Sequence, residues 1–132
     1  MKLNFKTYLT LGLIVAALAY TIMQVAHDRH AAALARATPA ERGWMLIEEN
    51  GCLSCHQKDS SFRAPVLAGL LGRKVRLADG KEFIADEAYI RESLSAPMSK
   101  IVAGYQGVMP SFKGSFTDEE LAAIIEALKP KP

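Results

Sequence analysis

The chain has 132 residues, of which 50% are hydrophobic and 23% are charged, and its formal net charge at pH 7 is +2. This length suits one compact domain of ordinary size, about 100–200 residues, and excludes a two-domain enzyme. The balance of apolar and charged residues excludes a disordered or collagen-like chain. The composition therefore indicates a globular protein in which a local excess of apolar residues is informative.

The first such excess is residues 8–26, YLTLGLIVAALAYTIMQVA, which carry no charge and are preceded by Lys2 and Lys6. A helix of this length extends about 28 Å at 1.5 Å per residue, close to the roughly 30 Å hydrocarbon thickness of a bilayer. A buried core helix would show a polar face, and this segment is apolar on nearly all sides. The sequence predicts a transmembrane helix over 8–26, with the basic residues 1–7 in the cytoplasm and the rest outside it.

A cleaved signal peptide is the competing interpretation, because Ala17-Leu18-Ala19 offers the small-x-small pattern of a cleavage site. The apolar stretch runs well past that site and exceeds the usual apolar region of a signal peptide, about 7–15 residues. Its length therefore favours a retained anchor.

The net charge comes from the N-terminal flank. Two of the 16 basic residues precede the apolar segment, so the remainder carries 14 basic and 14 acidic residues. Nucleic-acid binding would need a clustered basic face on the folded part. We therefore expect no nucleic-acid partner.

The next elements in chain order are a linker over 27–37, rich in alanine, and a domain over 38–132 that is mainly helical. Thr38, Pro39 and Glu41 form a helix start with an N-cap, a proline at the first position and a capping box. The first helix is predicted from about Pro39 to Glu49, with Gly51 as its C-terminal cap.

A short β-hairpin is predicted between residues 72 and 85, because Asp79-Gly80 offers a tight turn between two alternating segments. A further helix is predicted from Asp86 or Glu87 to before Pro97. A second capping box, residues 117–120, opens the last helix.

The two cysteines of the chain lie in Cys52-Leu53-Ser54-Cys55-His56. This spacing is that of c-type haem attachment, in which both thiols bond to the porphyrin and the adjacent histidine is an axial ligand of the iron. A thiol–disulfide oxidoreductase would carry the pair in a βαβ unit. A structural zinc site would need about four ligands, and only His27 and His30 remain beyond these three. A disulfide across so short a loop would add little stability.

The iron's second axial ligand is predicted to be Met109, in a glycine-flanked loop that Pro110 stiffens. Met98 follows Pro97 and is interpreted as a core or loop methionine. We expect Leu67, Leu70, Ile101 and Phe112 to supply apolar surface around the haem.

Residues 38–129 resemble a class I cytochrome c, with an N-terminal helix ending in the CLSCH motif, then Ala64-Pro65-Val66-Leu67-Ala68-Gly69-Leu70, a Met109-Pro110 loop and a final helix. Residues 71–80, 88–93 and 104–105 are similar to the cytochrome c domain fused to subunit II of haem-copper oxidases and to monohaem subunits of alternative complex III. The resemblance implies an all-α cytochrome c fold with a small β-hairpin insertion, preceded by one transmembrane helix.

The resemblance also implies site residues. Cys52 and Cys55 would form thioether bonds to the haem, and His56 and Met109 would be the axial ligands of its iron. The Pro65 carbonyl would hold the His56 imidazole, and Tyr105 and Arg73 would be partners of the haem propionates.

The implied function is one-electron transfer by a monohaem protein that is not itself an enzyme. It would be a subunit of a membrane oxidoreductase complex in a bacterial inner membrane, with the haem domain on the periplasmic side. The alternatives are a free carrier, tethered or cleaved, between complexes, and a five-coordinate sensor or peroxidase in which Met109 is not bound.

Overall fold

The structure, a computed structural model, describes residues 4–57 and 63–130. The chain divides into two compact units, Met1–Ala37 and Thr38–Pro132. The described residues form four α-helices and a two-stranded antiparallel sheet. The protein is therefore mostly helical with a small β element.

The first unit is one helix, α1, Phe5–Arg36. Asn4 caps it, since its side chain accepts the Thr7 N–H at 3.0 Å. The stretch Phe5–Ala33 is long and apolar enough to cross a membrane. The helix passes through the segment predicted as a linker, because its alanines are strong helix formers. It stops at Ala37, in extended backbone, shortly before Pro39.

The helices of the second unit begin and end near the predicted residues. They are α2, Pro39–Glu49, α3, Glu87–Ser95, and α4, Asp118–Ala127. Capping boxes start α2 at Thr38 and α4 at Thr117. After α2, Gly51 takes the left-handed conformation, φ 68°, which permits a sharp change of direction at the motif.

The hairpin consists of β1, Lys74–Arg76, and β2, Glu82–Ile84, with Val75 opposite Phe83. Beyond β1, Leu77 forms an isolated antiparallel bridge with Val102. This bridge connects the end of the hairpin to the segment that leads to Met109.

The core forms where α2 crosses α4. A Cβ on Gly43 would lie 1.9 Å from the carbonyl oxygen of Ala123 and 2.8 Å from the Cβ of Ala127. Both contacts are far inside van der Waals separation, so only glycine allows this crossing. The buried side chains of the core come from α2, β1, α3, α4 and the segments next to them: Ile47, Leu70, Val75, Leu77, Ala85, Tyr89, Ile90, Ile124, Ile125, Ala127 and Leu128.

Candidate functional site

A 3₁₀ turn, Cys52–Ser54, presents the motif directly after Gly51. The carbonyl oxygen of Cys52 accepts the N–H groups of Cys55 at 3.2 Å and His56 at 2.9 Å. This turn gathers two thiols and an imidazole on one short piece of chain. Both cysteines are free thiols and half-buried, and burial raises the pKa of the Cys52 thiol.

The imidazole of His56 is fixed by one hydrogen bond. Its Nδ1 lies 2.6 Å from the carbonyl oxygen of Pro65. A carbonyl oxygen can only accept, so Nδ1 carries the hydrogen and Nε2 keeps its lone pair. Burial lowers the pKa of His56, with an opposing influence from the Pro65 carbonyl. The neutral imidazole that a metal requires is therefore favoured.

These three side chains face a cavity of about 410 Å³. Small-molecule and cofactor sites usually have volumes of roughly 300–1,000 Å³ and mainly apolar walls. Leu67, Leu70, Ile101 and Phe112, the four residues expected to surround a haem, all line it. The cavity can therefore accept a large flat apolar group next to the motif.

Most of the predicted site residues meet at this cavity. Its lining includes Cys52, Cys55, His56, Pro65, Tyr105 and Met109. Arg73 is the exception among them, because its Nη2 donates to the carbonyl oxygen of Val66 at 2.8 Å and the residue is absent from the lining. In the structure Arg73 secures the segment that carries Pro65, and the basic side chains at the cavity are Arg63 and Lys100.

Three polar residues on the cavity wall were not singled out from the sequence. Tyr89 and Ser93 lie four residues apart in α3, and the Oγ of Ser93 is buried without a well-formed hydrogen bond to any described residue. The ammonium group of Lys100 lies 4.8 Å from the ring centre of Phe83 and 5.4 Å from that of Tyr89. Helical spacing from Tyr89 and Ile90 would have placed Ser93 on the buried side of α3.

Tyr89, Ser93 and Lys100 form a polar corner of the cavity, and these three side chains also affect one another electrostatically. Burial raises the pKa of the Tyr89 phenol, while the Ser93 hydroxyl and the Lys100 ammonium group oppose the rise. Lys100 is itself paired with Glu92 at 2.5 Å, and its side chain is only 14% exposed. The ammonium group of Lys100, held by the Glu92 carboxylate, therefore lies at the edge of a mainly apolar cavity.

Met98, interpreted as a core or loop methionine, also lines the cavity and is 52% exposed. Within residues 4–57 and 63–130, no three His, Cys, Asp or Glu side chains are grouped closely enough to hold a metal ion. No protein-family model matches the chain, and no curated protein matches it.

Proposed function

We propose that the protein is a membrane-anchored, monohaem c-type cytochrome that transfers single electrons. The observation that carries the proposal is the position of the CLSCH motif. Its two thiols and the histidine line one wall of an apolar cavity whose lining also includes Met109. The mostly helical fold, the spacing of the CLSCH motif and the mainly apolar cavity are all compatible with this function.

The residues present fit a covalently held haem. Thiols, a neutral imidazole with a free Nε2 and a thioether are the donor set of a c-type site. Cys52 and Cys55 would hold the group covalently, and His56 and Met109 would be its axial ligands.

The bound group would supply one-electron oxidation and reduction without a change of ligands. The chain's own residues do the rest. Pro65 orients the imidazole through its carbonyl. Leu67, Leu70 and Phe112 exclude water from the site, which disfavours net charge inside it.

The site of action proposed for the second unit is the periplasmic side of a bacterial inner membrane, with α1 as the anchor. Its partners would be other subunits of a respiratory complex, of the alternative complex III or cytochrome oxidase type, together with redox proteins that exchange electrons with it. The basic residues at 2 and 6 support this orientation.

The decisive test is expression of the full chain with c-type haem maturation factors. We expect a covalent haem that survives denaturing electrophoresis, and a sulfur-to-iron absorption at the red end of the oxidised spectrum. Cys52→Ser with Cys55→Ser should abolish covalent attachment, and Met109→Ala should abolish only the sulfur-to-iron absorption. Ser54→Ala, between the cysteines, is the matched control and should retain both signals.

An unmodified mass for the wild-type chain would overturn the proposal. Rapid carbon monoxide binding without the sulfur-to-iron absorption would instead support the five-coordinate sensor or peroxidase.

A second experiment separates the subunit from the free carrier. The chain is purified in mild detergent and sized, and co-purifying proteins are identified by mass spectrometry. A stoichiometric membrane partner supports a complex subunit, and a haem band at monomer size supports a free carrier.

A further inference from the structure

The methionine loop, residues 104–112, is anchored on its C-terminal side to the end of α3. The N–H of Phe112 donates to the carbonyl oxygen of Leu94 at 2.8 Å. The hydroxyl of Ser111 donates to the carbonyl oxygen of Ser95 at 2.7 Å. The last carbonyl groups of a helix have no partner within it, so they are available to fix another segment. Ser111 and Phe112, the two residues directly after Pro110, donate hydrogen bonds to these carbonyl groups.

The loop has a second anchor on the other side of Met109. A Cβ on Gly107 would lie 2.8 Å from the Cδ1 of Ile101 and 3.0 Å from the Sδ of Met98. The φ angle of Gly107 is not positive, so an alanine here would meet no backbone strain, but its methyl group would have to displace the side-chain ends of Ile101 and Met98. The backbone of the loop therefore rests directly on Ile101 and Met98.

We propose that Gly107 and Ser111 are positioning residues that hold the Met109 thioether at the cavity, and that these two anchors set how readily an external ligand displaces it. The inference rests on the proposed function. A thioether is a weak ligand, and its occupancy depends on the effective concentration that the surrounding chain gives it. Ser111 is absent from the cavity lining, so its effect must act through the loop.

The test is a titration of the loaded, oxidised full chain with imidazole in detergent, followed by the loss of the sulfur-to-iron absorption. Ser111→Ala removes the hydrogen bond to the Ser95 carbonyl and the longer one, 3.3 Å, that the Ser111 Oγ accepts from the Lys113 N–H, and should raise the imidazole affinity about threefold. Gly107→Ala adds a methyl group that the side-chain ends of Ile101 and Met98 must move to admit, and the resulting shift of the loop should raise the imidazole affinity about threefold.

Matched variants distinguish positioning from general damage. Ser95→Ala removes a hydroxyl from the same helix end but keeps the carbonyl that accepts from Ser111, so it should bind imidazole as the wild type does. Ser111→Thr keeps the donor and should restore most of the wild-type affinity. Ile101→Val deletes the Cδ1 that a Cβ at 107 would meet, so Gly107→Ala should have a smaller effect in that background.

Amide hydrogen exchange gives a readout that is independent of ligand binding. Peptides covering 107–112 should exchange faster in Ser111→Ala than in the wild type or Ser95→Ala. If the Gly107→Ala protein does not accumulate, the positioning role is tested with Ser111→Ala and with the double variant Gly107→Ala, Ile101→Val.

Equal imidazole affinity and equal exchange in the wild type and Ser111→Ala would overturn the positioning role alone, since the wild type would still show attached haem. A wild-type chain without attached haem would overturn the proposed function and this inference together.

Discussion

At the scale of single residues, one hydrogen bond decides the chemistry of His56. The sequence places a histidine beside two cysteines, and the fold supplies the Pro65 carbonyl that fixes its tautomer. The resemblance implied this contact, and it is present. The polar corner of Tyr89, Ser93 and Lys100 was not predicted, because it depends on how the turn after α3 folds back and places Lys100 against that helix.

Glu92 gives a pH-dependent prediction. Its hydrogen bond to Lys100, followed by that to Ser99, holds the pKa of the Glu92 carboxyl below its ordinary value of 4.5. A lowered pKa in the folded state stabilises the protein above the ordinary value, and this contribution disappears as the pH falls through the lowered pKa. The wild type should therefore be more stable than Glu92→Gln at pH 7, with the difference shrinking below pH 4.5.

The measurement is urea unfolding of both proteins between pH 7 and 3. In a Lys100→Met background, most of the difference should be absent at every pH, because the main partner of the carboxylate is gone. A difference that persists unchanged to pH 3 would contradict this assignment.

At the scale of elements, local signals explain most of what was predictable. The capping boxes at Thr38 and Thr117 fix the starts of α2 and α4, and Asp79-Gly80 fixes the hairpin turn. Over 27–36, the segment interpreted as a linker is helical, because helix propensity continues α1 after the apolar segment ends. The bridge between Leu77 and Val102 joins residues far apart in sequence, and no local pattern indicates it.

The α2–α4 crossing gives a prediction at this scale. Gly43→Ala should reduce the free energy of unfolding of the loaded protein by about 3 kcal/mol or more, because the new methyl group overlaps a backbone carbonyl. Ala127→Gly should not rescue it, since the nearer contact is the oxygen of Ala123. Chemical denaturation measures both effects.

The control is Glu48→Ala, on the exposed face of α2, which should change the free energy of unfolding by less than about 0.5 kcal/mol. A Gly43→Ala protein as stable as this control would show that the helices separate without cost.

At the scale of the whole molecule, the long apolar helix and the candidate site lie in different compact units. Every residue of the candidate site lies in Thr38–Pro132, and the apolar stretch Phe5–Ala33 lies in the other unit. The sequence predicted this division because apolar length and ligand spacing are both local properties. The polar corner and the α2–α4 crossing could not be predicted from the sequence, because both depend on contacts between elements that only the fold brings together.

Replacement of residues 1–37 by a cleavable export signal should therefore release the protein from membranes and leave the site intact. We expect the truncated chain in the aqueous fraction with covalent haem, and the full chain in the membrane pellet after an alkaline carbonate wash. A full chain that washes off, or a truncated chain that stays in the pellet, would contradict the anchoring role of α1.

The cavity has a consequence for the lifetime of the protein in the cell. Without a group inside it, the cavity of about 410 Å³ leaves its mainly apolar lining in contact with water, and the stabilisation that burial of this lining would give is lost. The whole free energy of unfolding of a domain is about 5–15 kcal/mol. If the proposed haem fills the cavity, a chain without it is therefore expected to unfold more often and be degraded by proteases. The cellular abundance of the protein should then follow the supply of that group more closely than the rate of translation.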